Sequence, residues 1–209
     1  MDILVHGLGK KFQKHWVFRD FNYHFKNGGS YAITGPNGSG KSTLLQILSG
    51  FIPATSGAVL YTMPNSNNIP GDSFYKYHTL ASPYLELVEE FTLLEILQFH
   101  FNFKKIIKGL NLRSIIERLY LSDSTNKYIK HFSSGMKQRL KLGLAFYAEA
   151  PILLLDEPTT NLDEKGVEWY HREITKQQKN KLIIVSSNVK NEYNFCQDII
   201  NLLDFKRLQ

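Results

Sequence analysis

Residues Gly35-Pro36-Asn37-Gly38-Ser39-Gly40-Lys41-Ser42-Thr43 set two glycines, a lysine and a hydroxyl in the spacing G-x-x-x-x-G-K-[ST]. The chemistry this suits is the binding of a phosphate chain. A nucleoside triphosphate concentrates several negative charges in a small volume. A loop without bulky side chains turns its backbone N–H groups inward around those charges, and its glycines permit the conformations required. Lys41 supplies a positive charge for the β- and γ-phosphates, and the Ser42 hydroxyl suits Mg²⁺.

Two more stretches carry groups for the same chemistry. Asp156 and Glu157 end the apolar run Ile152–Leu155 and precede Pro158. Asp156 suits Mg²⁺, and Glu157 suits a general base that polarises water for attack on the γ-phosphate. Phe132-Ser133-Ser134-Gly135-Met136 is a small-residue turn opening a helical pattern. Ser133, Ser134 and Gly135 thereby expose the N–H groups of a helix start, an anion site. Phe12 and Trp16, ahead of the phosphate loop, offer π-faces on which a nucleobase can stack.

The elements that must position these groups follow from periodicity. Tyr31–Thr34 predicts a buried strand, and Ser42–Ser49 a helix stopped at Gly50. Ile3, Val5, Leu8, Val17, Phe21, Tyr23 and Phe25 are expected to face inward from N-terminal strands, with a turn at residues 26–30. Residues 58–61 predict a further strand, 62–73 an exposed loop and 77–83 an extended piece. Thr92-Leu93-Leu94-Glu95 is a capping-box pattern, and a second helix covers residues 112–120. A helix from the serine turn runs to about Ala150. The all-apolar run ending at Asp156 predicts a strand buried on both faces, as in a parallel sheet. Its C-terminal end is where open α/β sheets hold ligands. Asp163 caps a helix over 164–178, residues 181–187 form another buried strand ending at Asn188, and 198–203 a last one.

With 209 residues, 43% apolar and 21% charged, the chain fits one large globular domain. A net charge of +6 does not by itself select a partner. Cys196 is the only cysteine, which excludes an intrachain disulfide and a cysteine metal cluster. The N-terminus lacks a basic-then-apolar leader, and no apolar run nears the ~18 residues of a membrane span. Any membrane role is expected to be peripheral.

Over essentially its whole length the chain resembles the ATP-binding subunit of ABC transporters. Gly35–Thr43 resembles the Walker A motif, and Ile152–Pro158 the Walker B strand with its catalytic glutamate. Phe132–Met136 resembles the ABC signature, usually Leu-Ser-Gly-Gly-Gln, and Thr160–Asp163 the D-loop. The resemblance implies a P-loop NTPase (RecA-like) α/β core with a parallel-sheet centre, an N-terminal antiparallel β subdomain and an inserted α-helical subdomain. Residues 1–85 and 150–209 would form the core and 86–149 the helical part. It implies Mg-dependent ATP hydrolysis, with Glu157 and Lys41 catalytic and Ser42 and Asp156 on the metal. Two ATP molecules would lie in a head-to-tail homodimer or ABC heterodimer, each held by one phosphate loop and the other subunit's signature. A separate transmembrane permease would be the partner, at the cytoplasmic face of the cell membrane, with no nucleic acid expected. A soluble ABC-type ATPase uncoupled from transport is the alternative.

The chain departs from the family pattern at several positions. Phe132, Ser134 and Met136 replace the usual signature residues. No glutamine stands at residues 82–86, where the Q-loop is expected. Asn188 occupies the place of the switch histidine; it can donate to a phosphate but cannot become cationic. Slow but real turnover is the expectation, because Lys41, Asp156 and Glu157 are present.

Overall fold

In the computed structural model, which describes residues 1–63, 68–178 and 181–205, the phosphate loop leaves one of five parallel strands. The strands are β1 (Asp2–Phe12), β2 (His15–Phe25), β3 (Ser30–Thr34), β4 (Ser56–Thr62), β5 (Asn68–Ile69), β6 (His78–Ala81), β7 (Ile152–Asp156), β8 (Leu182–Ser186) and β9 (Asp198–Asn201). The helices are α1 (Lys41–Leu48), α2 (Leu93–Phe103), α3 (Leu112–Arg118), α4 (Ser134–Phe146), α5 (Glu164–Gln177) and α6 (Lys190–Tyr193). The parallel sheet has the order β6-β7-β8-β3-β9, and an antiparallel sheet the order β2-β1-β4-β5.

The unbroken apolar runs of β7 and β8 are explained by what lies on either face. Leu153, Leu155, Ile183 and Val185 pack into a core shared with α2, α3, α4 and α5. Their alternating neighbours Ile152, Leu154, Leu182 and Ile184 pack into a second core with α1 and the antiparallel sheet. All these side chains are fully buried, each contributing about 1.5–3 kcal/mol of gross burial energy. The two central strands are thus pinned from both sides, and their carboxyl ends present Asp156 and Ser186 at one rim.

The antiparallel sheet corrects the expected inward set. Ile3, Val5, Leu8, Phe21 and Phe25 are buried as expected, but Val17 and Tyr23 are only partly so and Phe18 is buried instead. The cause is an extra residue on β2. Asp20 has φ 55°, and Leu8 pairs with Phe21 while Lys10 pairs with Phe18. The added residue lets Phe18 and Phe21, three apart, both face the core.

Gly57 answers a bulge on the other side of β1. Its φ is +77°, and a Cβ there would stand 2.4 Å from the backbone of His6 and Gly7. Backbone cannot step aside as a side-chain tip can. Gly57→Ala should therefore destabilise the protein by ~3 kcal/mol, the sum of left-handed strain and overpacking. The urea midpoint should fall at unchanged slope; a midpoint within error of the parent would contradict this close approach.

Three further boundaries differ from the periodicity. In the expected loop over 62–73, residues 64–67 lie outside the described residues, but Asn68–Ile69 pairs with Tyr61–Thr62 and Gly71–Lys76 forms a 3₁₀ turn. Helix α4 stops at Phe146 rather than Ala150, because Tyr147–Glu149 bond instead to Lys105–Ile107. The last strand ends at Asn201, and Leu202–Phe205 turns as a 3₁₀ segment that buries Leu202. The capping box at Thr92 forms as expected. Glu95 N–H donates to Thr92 Oγ1 at 3.3 Å, and Thr92 N–H to Glu95 Oε2 at 2.7 Å.

Candidate nucleotide site

The phosphate loop joins β3 to α1 in a conformation that glycine permits. Gly40 caps α1 with φ 103°, and a Cβ there would meet Val17 Cγ1 at 2.2 Å. Lys41 is buried, and its Nζ donates to Gly35 O at 2.8 Å and to Pro36 O at 3.4 Å. Ser39 is also buried, and its Oγ has no hydrogen-bond partner among the described residues.

Across the loop stands the end of β7. Ser42 Oγ donates to Asp156 Oδ1 at 3.1 Å, linking groups 114 residues apart. Asp156 is buried at the strand's last position. Glu157 follows with φ 42°, a conformation rare for a residue with a side chain, and its N–H donates to Ser186 O at 2.8 Å. Asn37, Gly38, Gly40, Lys41, Ser42, Thr43 and Glu157 line one open cleft of about 400 Å³, which Val17 and Tyr84 complete. Gly35, Pro36 and Ser39 belong to the same loop.

The strand ends are fixed from behind by buried polar contacts. Gln138 Nε2 donates to Pro158 O at 2.8 Å. The buried Glu192 of α6 accepts at Oε1 from Thr159 N at 2.7 Å and from Thr159 Oγ1 at 2.5 Å. Asn188 Nδ2 donates to Asn37 Oδ1 at 2.9 Å, so the residue in the histidine's place touches the phosphate loop directly.

Ser133, Ser134 and Gly135 are placed elsewhere. Ser133 caps α4 by accepting from Met136 N at 3.2 Å. With Asn161, Leu162 and Asp163 all three line a cleft of about 500 Å³ that shares no residue with the phosphate cleft. Gly135 lies so close to the following turn that a Cβ would stand 3.0 Å from Asn161 O. Phe12 is 52% exposed near the end of the β1–β2 hairpin, with Lys10 Nζ 5.0 Å from its ring centre. It does not border the phosphate cleft.

Gln138, Glu192, Val17, Tyr84 and Ser82 escape the sequence reading. Ser82 Oγ donates to Asp156 Oδ2 at 3.2 Å. A signal existed only for Ser82 and Tyr84, which lie in the segment where a glutamine is expected and absent. Glu192 sits on a one-turn helix, too short for periodicity to reveal.

The donor set fits a magnesium nucleotide. A buried lysine and the glycine-rich loop line space open to an anion, the buried Ser39 hydroxyl of that loop lacks a partner among the described residues, and a hydroxyl–carboxylate pair of hard oxygens stands beside it.

Comparison with known proteins agrees. A family model described as "ABC transporter" matches residues 18–160. The chain is 36% identical over 204 residues to the uncharacterized ABC transporter ATP-binding protein YybJ of Bacillus subtilis strain 168, covering 97% of this chain and 89% of that one. It is 28% identical to the lantibiotic transport ATP-binding protein SrtF of Streptococcus pyogenes, over 95% and 85% of the two chains. Among solved structures, the ATP-binding cassette MJ0796, a dimer bound to ADP and Pi in a post-hydrolysis state, superposes with a TM-score of 0.81 at 23% identity, over 95% of this chain and 93% of that one. With a family match across most of its length and a phosphate site of this build, the chain belongs to the ABC transporter family, as an ATP-binding, ATP-hydrolysing subunit that powers transport through a separate permease.

Proposed function

We propose that Mg-ATP is bound at the β3–α1 loop and cleaved there, with Glu157 as the base. The observation that carries this reading is the Ser42–Asp156 hydrogen bond at 3.1 Å, which sets a hydroxyl and a carboxylate side by side at the cleft. In this reading residues Gly35–Thr43 wrap the phosphates with main-chain N–H groups, and Ser39 Oγ gains the partner it lacks. Lys41 exchanges its carbonyl partners for phosphate oxygens. Glu157 orients a water against the γ-phosphate and takes its proton. Ser42 and Asp156 would hold Mg²⁺, which would supply neutralisation of the phosphate charge. Phe12 is the aromatic offered to the base, from the exposed hairpin.

The separate cleft at Ser133, Ser134 and Gly135 supports a second part of the proposal. These residues complete the phosphate site of another cassette, either a second copy of this chain or a related one, with α4's N-terminus on the γ-phosphate. Asn188, beside this chain's own loop, reaches the γ-phosphate bound there by rotating from Asn37. Among the described residues no helix is long and apolar enough to cross a membrane. We place the chain peripherally, at the cytoplasmic face, against its permease.

The test is the mass of the Glu157→Gln chain in solution with and without Mg-ATP. Mg-ATP should convert monomer to dimer, and Asn188→Ala in that background should raise the ATP concentration needed at least severalfold. A mass that never changes with Mg-ATP would sink the two-cassette reading.

A further inference from the structure

The hydroxyl of Ser82 lies against the carboxylate of Asp156, and its surroundings are those of a built site. Ser82 is 6% exposed, at the first position past β6. Strand β6 pairs in parallel with β7, Ala81 lying opposite Leu155, so Ser82 comes level with Asp156. Its Oγ donates to Asp156 Oδ2 at 3.2 Å while Ser42 Oγ donates to Oδ1 at 3.1 Å. The carboxylate is therefore bracketed by two hydroxyls, one on each oxygen. A second cleft, of about 250 Å³, is lined by Ser42, Ser82, Asp156 and Tyr84, and it meets the phosphate cleft at Ser42 and Tyr84.

A serine oxygen carries one proton and two lone pairs. In Ser82 the proton is engaged by Asp156, and Tyr84 N–H reaches the oxygen at a long 3.4 Å. Acceptor capacity thus remains on the side of the cleft. The neighbouring backbone is held, since Lys141 Nζ donates to Pro83 O at 2.5 Å; burial lowers the pKa of that lysine, followed by repulsion from Lys137.

We propose that Ser82 is the third protein oxygen of the magnesium seat, meeting Mg²⁺ or one of its bound waters beside Ser42 and Asp156. The inference rests on the nucleotide site proposed above. It has a structural corollary. A hydroxyl sits one carbon from the backbone, so it stays with the end of β6. The metal seat is then built wholly from the sheet rim and α1, and the following stretch, where Tyr84 and Glu86 are exposed, supplies none of it.

The experiment is a titration of Mn²⁺, read by its paramagnetic resonance, into the chain bound to a non-hydrolysable ATP analogue. Parent, Ser82→Ala and Ser82→Thr are compared, and analogue affinity is measured separately in EDTA. Ser82→Ala should weaken Mn²⁺ binding by ~10-fold, the scale of losing a metal-orienting group. Metal-free analogue affinity should stay within twofold, and Ser82→Thr, which keeps the hydroxyl, should stay within about threefold of the parent for Mn²⁺. Unchanged Mn²⁺ affinity in Ser82→Ala would overturn the assignment. So would an equal loss of metal-dependent and metal-free affinity, which marks a purely structural role. If the parent itself binds neither analogue nor metal, the nucleotide site falls, and Ser82 with it.

Discussion

Glu157→Gln should lower steady-state phosphate release by about 10²- to 10⁴-fold while ATP affinity stays near that of the parent. The range is what a positioned proton acceptor contributes. Glutamine keeps the size and shape of the side chain but cannot take a proton. The backbone at this residue is held in an unusual place, with φ 42° and its N–H tied to Ser186 O at 2.8 Å. Such a conformation costs of order 1–3 kcal/mol and persists only where the surroundings enforce it. Here the enforcement is visible: Ser186 at the end of β8, Gln138 on Pro158 O and Glu192 on Thr159 all grip the turn that carries the carboxylate. The effect should therefore be on turnover alone. Unchanged phosphate release in a variant that still binds ATP would remove Glu157 from the role of base.

The contrast between what the sequence discloses and what it hides follows contact distance. The strand–loop–helix of residues 30–48 and the buried strand ending at Asp156 are legible because their signals are local: glycine spacing, an apolar run, a cap. The capping box at Thr92 is legible for the same reason. Ser82 on Asp156, Asn188 on Asn37 and Glu192 on Thr159 join residues 74, 151 and 33 apart. Each is created by strand order, since β6 and β8 flank β7 and β3 lies beside β8. No window on the sequence contains both partners. The parity slip at Asp20 is hidden differently. Val17 and Phe18 are both apolar, and only the bulge decides which one turns inward.

The same split explains the missing glutamine. Judged by residue type, Ser82 reads as a loss at the Q-loop. Judged by position, it is a buried hydroxyl on the Asp156 carboxylate. Asn188 is parallel: it cannot carry a charge, yet it bonds the phosphate loop at 2.9 Å. Both departures keep a polar atom at the site and change its reach or titration. Neither removes Lys41, Asp156 or Glu157, so the groups proposed for phosphate, metal and proton transfer all stand.

Lys41→Ala should weaken ATP binding by roughly tenfold to a hundredfold. Hydrogen bonds involving a charged partner contribute about 1.5–3 kcal/mol, and each 1.4 kcal/mol is a factor of ten. Lys41 is 5% exposed, and its ammonium already lies over the loop, bonded to the carbonyls of Gly35 and Pro36. Phosphate oxygens arriving in the cleft meet a cation fixed in place, so little side-chain freedom is lost on binding. The loop's own bonds do not depend on the lysine: Ser39 N–H donates to Pro36 O at 3.0 Å and Leu44 N–H to Gly40 O at 2.8 Å. The variant should therefore melt cooperatively, but ATP should raise its melting point far less than the parent's. Lys41→Arg should not restore affinity, because a planar fork cannot occupy a slot shaped for a point charge. ATP affinity within twofold of the parent in Lys41→Ala would mean that the main-chain cradle binds the phosphates without the cation.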